Sequence, residues 1–181
     1  MEENLEKALQ EEGVTLVISE AGEYHGTNRE IVDYLVNDQG LTGIYATVNE
    51  PYRTVERFLQ EGGIDTGEVF FVDAISKDVG AEEPEKDNLM FLESPQHLTD
   101  ISIVLSETIE KMPDGEKFVF FDSLSTLTIY NSVNTVSKFA HFLTGKMRNW
   151  NVRGIVISVE AEADEQLISR MRQFADRTVE I

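Results

Sequence analysis

The chain contains no cysteine. Disulfides, thiolate metal sites and a cysteine nucleophile are therefore excluded. Positive charge is scarce: 15 Lys and Arg stand against 34 Asp and Glu, a formal net charge of -19. Such a field repels phosphate backbones, so non-specific binding to DNA or RNA is not expected. No apolar run approaches the roughly 18 to 20 residues of a membrane span. The start of the chain, Met1-Glu-Glu-Asn-Leu, lacks the basic and apolar segments of a signal peptide, and a cytoplasmic protein is expected. The acid excess fits a salty cytoplasm, a partner surface or solubility. The 181 residues, 41% of them hydrophobic, exclude wholesale disorder and predict one domain over residues 1–181.

What is present is an alternation. Near-continuous apolar runs occur at Val14 to Ile18 (VTLVI), Gly43 to Val48 (GIYATV), Val69 to Val72 (VFFV), Phe118 to Phe121 (FVFF) and Gly154 to Val159 (GIVISV). Runs without polar alternation predict strands buried on both faces. Thr178 to Ile181 reads as a last strand. Between them lie helical periodicities at Glu2–Glu12, Thr27–Asn37, Pro51–Gln60, from Ser94-Pro95 to about Met112, Val133–Trp150 and Glu165–Phe174. Ser76 to Asn88 (SKDVGAEEPEKDN) is polar and weakly patterned, and reads as a surface loop. The acidic part, Ala81 to Asp87, is either solvated or a docking segment. The alternation predicts an α/β fold, a three-layer α-β-α sandwich with a mostly parallel sheet. Ligands in such sheets sit beyond the carboxyl ends of the strands. The positions of interest are thus Ser19 to Asn28, Asn49 to Pro51, Asp73 to Ser76, Asp122 to Thr126 and Glu160 to Asp164.

The first of these is where a phosphate-cradling loop would lie. A working loop reads G-x-x-x-x-G-K-[ST], with lysine on the phosphates, a hydroxyl on magnesium and helix N–H groups around the anion. Here it reads Ala21-Gly22-Glu23-Tyr24-His25-Gly26-Thr27-Asn28. With Gly26 as the last glycine, Thr27 takes the lysine position and Asn28 the hydroxyl position. Shifting by one puts Gly26 in place of lysine and Thr27 in place of the hydroxyl. Neither register contains a lysine, and none lies between Lys7 and Lys77. Glu20 and Glu23 add negative charge where phosphates would go. Arg29 is the cation that could replace the lysine, or it pairs with Glu30 or Asp33. Losing one partner of a buried charge pair costs about 2 to 5 kcal/mol.

The strand FVFF ends in Asp122, a placement suited to a magnesium-linked carboxylate. Alternatively, Asp122 caps the following turn through Ser125 or Thr126. Glu50 is either a catalytic base or a carboxylate favoured by a helix dipole. Tyr24 and His25 either contact a ligand or cover the sheet end. A small-molecule pocket between Tyr24, Asn49 and Ser123 is a further reading. His97 and His141 lack a second ligand nearby. Arg170 and Arg172 form a solvated helix face or meet an acidic partner.

The segments GVTLVIS, GIYATVNEP, VFFVDAIS, FVFFDSLSTL and FADRTVEI, in this order and spacing, resemble the RecA-like ATPase core and, within it, the family of the clock protein KaiC and its archaeal relatives. The resemblance spans nearly the whole chain and implies a RecA-like P-loop NTPase fold. It implies that Glu50 holds the position of the water-activating carboxylate and Asp122 that of the magnesium-linked aspartate. It also implies ATP and magnesium as cofactors, with Gly22, Gly26, Thr27, Asn28 and Arg29 as candidate binding residues. The loop departs from the family in lacking its lysine, and the family's basic finger has no counterpart before Ile181. Three expectations follow from these departures: at most weak nucleotide binding, a regulatory, sensory or protein-interaction role through a protein partner, and a monomer or homodimer as the assembly. An ATPase with an atypical loop and a small-ligand sensor are the alternatives.

Overall fold

A computed structural model of the chain describes residues 3–81, 84–160 and 164–181. Seven strands form one sheet: β1 (Gly13–Ser19), β2 (Thr42–Thr47), β3 (Val69–Asp73), β4 (Leu89–Phe91), β5 (Lys117–Asp122), β6 (Arg153–Val159) and β7 (Arg177–Glu180). Their order is β4-β3-β2-β5-β6-β1-β7, and every pairing is parallel. All seven carboxyl ends therefore point the same way. The apolar runs are explained by what covers them. Val14, Leu16, Ile44, Val119, Phe121 and Val156 pack into one core. Val17, Tyr45, Phe71, Phe118, Phe120 and Ile155 pack into another. Helices α5 (Leu98–Lys111), α7 (Val133–Asn149) and α8 (Glu165–Phe174) close the first core; α1 (Glu3–Leu9), α2 (Tyr24–Asp33) and α3 (Tyr52–Glu61) close the second. Within the sheet, Gly43 makes room for the ring of Phe118, its register partner on β5, which an added Cβ would meet at 2.3 Å; between layers, Gly154 lets α7 approach β6, since a Cβ there would stand 2.7 Å from Met147 Sδ.

Several boundaries differ from the sequence expectation. Helix α1 is shorter at its C-terminal end than Glu2–Glu12, and Glu2 lies outside the described residues. Helix α2 begins at Tyr24, not Thr27, and runs into a wider π turn, Tyr34–Asp38. The helix after Ser94-Pro95 starts only at Leu98. The strand β4 is not among the expected strands. It lies in a short apolar run, Leu89 to Leu92 (LMFL), and is a three-residue edge strand with no fully buried side chain.

The polar stretch from Ser76 is also more structured than a loop. It opens with a short helix, α4 (Ser76–Val79), closed by Gly80 in the left-handed conformation at φ 68°. Farther along, the Lys86 ammonium bonds the Tyr52 hydroxyl at 2.6 Å and Glu56 at 2.5 Å, which ties this segment to α3. Glu82 and Glu83, in its acidic part, lie outside the described residues, as do residues 161–163 of the loop after β6.

Candidate functional site

The carboxyl ends of β1, β2 and β5 converge on Asp122, the last residue of β5, which is 2% exposed. The first turn of α2 lies over it. Because the helix begins at Tyr24, that residue faces inward, and its hydroxyl donates to Asp122 Oδ1. The Tyr45 hydroxyl, from β2, donates to Oδ2 at 2.5 Å. The Asn28 amide, one turn after Tyr24, donates to the same oxygen at 3.2 Å. Both carboxylate oxygens are thus occupied by donors of the chain itself.

A second layer closes over the first. Asn49 Nδ2 donates to the Tyr24 hydroxyl at 3.0 Å, and Thr126 Oγ1 donates to Asn49 Oδ1 at 3.3 Å. Ser123 Oγ lies 2.7 Å from Thr126 Oγ1 and 3.1 Å from Ser125 Oγ. The Asp122–Ser123 peptide bond is cis. These bonds link Tyr24, Asn49 and, through Thr126, Ser123, the residues between which a pocket is expected. They also overturn the expectation that Asp122 caps the next turn: the Thr126 N–H goes to Ser123 Oγ at 3.4 Å.

Burial is the largest influence on Asp122 and outweighs the two tyrosine donors, so its pKa is pushed up to about 6. Burial and the Asp122 charge together push the hydroxyls of Tyr24 and Tyr45 well above the ordinary phenol value. Both tyrosines are therefore neutral donors at any physiological pH. One buried polar atom in the group, Asn28 Oδ1, has no hydrogen-bond partner.

The remaining candidates are placed as follows. Glu50 lies beyond β2 with its side chain 30% exposed; its carboxylate is 3.7 Å from His25 Nε2. His25 is exposed, and its ring edge packs on Tyr24 and Phe58. Gly22 is exposed in the turn before α2. Gly26 lies inside the first turn of α2, where a Cβ would meet nothing within 4 Å. Thr27 is buried against Ser19 Oγ at 3.4 Å. Arg29 is exposed, and its Cδ lies over Gly62, where α3 ends. Helix α3 starts beside the carboxyl ends and runs away from them, so Arg29 is directed away from Asp122. Asp73 is fully buried and accepts from Tyr52 N, Ile75 N, Ser76 N and Ser76 Oγ, which fastens β3 to the start of α3.

These residues do not fit a magnesium nucleotide. The α2 helix has extended backward through the loop, and the Thr27 N–H that would face phosphate bonds Glu23 O at 2.8 Å. The Asp122 oxygens are taken by tyrosine and amide donors. Among the described residues no group of three His, Asp or Glu is placed to hold a metal ion.

Sequence reasoning missed Tyr45. The signal was available: a tyrosine in a strand buried on both faces must find a partner for its hydroxyl.

A family model described as a family of unknown function, DUF7504, matches residues 16–181. The chain belongs to DUF7504. No curated protein matches it. Solved structures match this DUF7504 chain over nearly its full length. An uncharacterized protein from Pyrococcus horikoshii, solved in complex with an unknown peptide, is 13% identical with a TM-score of 0.67, over 94% of this chain and 78% of its own. A KaiC-like protein from the same archaeon is 12% identical with a TM-score of 0.65, over 94% and 72%. The flagellar accessory protein FlaH from Methanocaldococcus jannaschii is 10% identical with a TM-score of 0.62, over 98% and 76%. The DUF7504 fold is thus that of the KaiC-like, RecA-like ATPases. No helix among the described residues is long and apolar enough to cross a membrane.

Proposed function

We propose that this DUF7504 chain is a non-hydrolysing KaiC-like domain that acts through protein contacts, with a regulatory or sensory role. The observation that carries this reading is the closure of Asp122 by Tyr24, Tyr45 and Asn28. A carboxylate kept for magnesium must present free oxygens to the ion and its waters. Here, releasing an oxygen would leave a buried phenol unpaired, at a cost of about 1 to 3 kcal/mol. The missing loop lysine and the outward course of Arg29 support the same reading. The solved relative that holds a peptide is consistent with a fold that serves protein recognition.

The test is isothermal titration with ATP and ADP, with and without magnesium. The expected result is no heat at millimolar nucleotide. Magnesium-dependent binding tighter than about 100 μM that Asp122→Ala removes would overturn the proposal. Turnover abolished by Glu50→Gln would then establish the atypical ATPase instead.

A further inference from the structure

With 34 acidic side chains for 15 Lys and Arg, most cations of this chain should find a carboxylate. Several do. Arg148 pairs with Asp176 at 3.2 Å, Arg153 with Glu116 at 2.6 Å, Arg177 with Glu11 at 2.7 Å, and Arg172 with Glu180. Two cations that line one cleft do not. Lys138, on α7, and Arg170, on α8, have no hydrogen-bond or ion-pair partner among the described residues. The sequence explains the first: from Ser123 to Val159 there is no Asp or Glu, and α7 lies within that stretch.

Helices α7 and α8 pack side by side. Between them is a cleft of about 270 Å³ lined by Asn134, Ser137, Lys138, His141, Arg170 and Phe174. Among the described residues no carboxylate lines it. Glu165 lies in the adjoining hollow that Arg170 also borders, without pairing with it. The Ser137 hydroxyl donates back to Val133 O at 2.8 Å and is occupied by its own helix. The His141 ring lies 4.7 Å from the Phe174 ring, tilted by 44°, which gives the cleft an aromatic wall. Lys138 is exposed, whereas Arg170 is partly buried. A guanidinium that loses hydration without gaining a counter-charge costs the fold free energy. An anion from outside the chain would remove that cost.

We propose that the α7–α8 cleft binds a phosphomonoester, its phosphate between Lys138 and Arg170 and the first atoms of its organic part against Phe174. Charge decides for phosphate over carboxylate. Two fixed cations match a group of about -1.5 to -2 at neutral pH, whereas a carboxylate leaves one cation unpaired. The arginine fork takes two phosphate oxygens at once, and the lysine adds a point charge. Size decides against a whole nucleotide: the cleft of about 270 Å³ is smaller than the roughly 300 Å³ at which pockets begin to enclose larger ligands. The site therefore reads the phosphate and little of what bears it, be that a side chain of a partner protein or a free metabolite. The net charge of -19 opposes approach, but at physiological salt screening over about 8 Å leaves the local charges to decide. The cleft uses neither Asp122 nor the α2 loop and stands apart from the nucleotide question.

The test is an NMR titration of the isotope-labelled full chain with glycerol phosphate, up to about 50 mM, at constant ionic strength. Saturable shifts are expected for the amides of residues 134–141 and 170–174, which bracket the cleft. Acetate should produce none. Lys138→Gln and Arg170→Gln alter unpaired side chains, and each should weaken binding at least about tenfold, with the fold intact by circular dichroism. Arg172→Gln, on the same helix but paired with Glu180, should leave binding unchanged. A short peptide with one phosphoserine separates the two sources: tighter binding than glycerol phosphate assigns the site to a partner protein, and equal binding assigns it to a free metabolite. No saturable shift overturns the proposal. So does acetate that binds equally well, or undiminished binding in both cation variants. Shifts at Tyr24 to Asn28 instead would place the phosphate at the α2 loop and overturn it too. A single-stranded oligonucleotide that binds more tightly than either probe overturns it in favour of a nucleic-acid surface.

Discussion

Asp122 is buried among donors yet still pays for its charge, and that makes its protonation measurable. Its pKa of about 6 lies above the unfolded value of 3.8. Below pH about 4 both states hold the proton. Between about 4 and 6 the folded state holds more, so stability falls as pH rises through that window and is level above it. The group should thus cost the fold about 3 kcal/mol at neutral pH. Asp122→Asn should remove this loss. The unpartnered Asn28 Oδ1 can accept from the new amide if the Asn28 side chain turns over, so the variant can be accommodated. Urea midpoints at pH 4.5 and pH 7.5, chosen at roughly either end of the window, would reveal it: the wild type should lose stability relative to Asp122→Asn across this interval. Parallel behaviour of the two proteins would show that the carboxyl is not raised. Tyr24→Phe removes one donor to the carboxylate and leaves Asn49 Nδ2 without its acceptor. It should destabilise by about 1 to 3 kcal/mol. Glu50→Gln, at a partly exposed position, should change stability by less than about 0.5 kcal/mol. Equilibrium unfolding of the two variants distinguishes a structural cluster from a loosely held one.

At the scale of elements, the α2 helix is the informative one. Gly26 lies in its first turn with open space where a side chain would go. If the residue serves only the helix, Gly26→Ala should stabilise by up to about 1 kcal/mol, because alanine loses less backbone entropy. A glycine needed for close approach of phosphate would instead show a binding defect. The contrast is Gly43, in β2, where the Cβ would run into the Phe118 ring. Phe118 is fully buried and cannot move far. Gly43→Ala should destabilise by about 1 to 3 kcal/mol. Thermal melts of the two alanine variants should therefore move in opposite directions.

For the molecule as a whole, charge dominates. With a net charge of -19, self-repulsion opposes the compact state, and added salt screens it. The melting temperature should rise by several degrees between low salt and about 1 M sodium chloride. A melting temperature independent of salt would mean that local ion pairs, such as Arg153 with Glu116 at 2.6 Å, offset the repulsion. Magnesium and ATP at millimolar concentration should add no stabilisation beyond that of matched ionic strength, since a ligand bound only to the folded state would raise the melting temperature.

The amino-acid sequence by itself determined the layers. Five apolar runs alternating with amphipathic stretches admit little but a covered parallel sheet, because unpatterned hydrophobicity needs burial on both faces. The same reading located Asp122 at a strand end and found no lysine in the loop. The tertiary structure alone decided what surrounds that aspartate. Tyr24, Asn28 and Tyr45 lie 98, 94 and 77 residues from it in the chain, and only strand order and the seating of α2 bring them together. The start of α2 at Tyr24 was likewise not legible, since the glycines at 22 and 26 mark a loop by propensity and packing over Asp122 overrides it. Edge strand β4 lies in the apolar run Leu89 to Leu92, but so short a run beside a polar stretch does not by itself separate a strand from other structure. Arg29 shows the same limit. Local sequence placed it near a phosphate loop, and the course of the helix placed its side chain over Gly62.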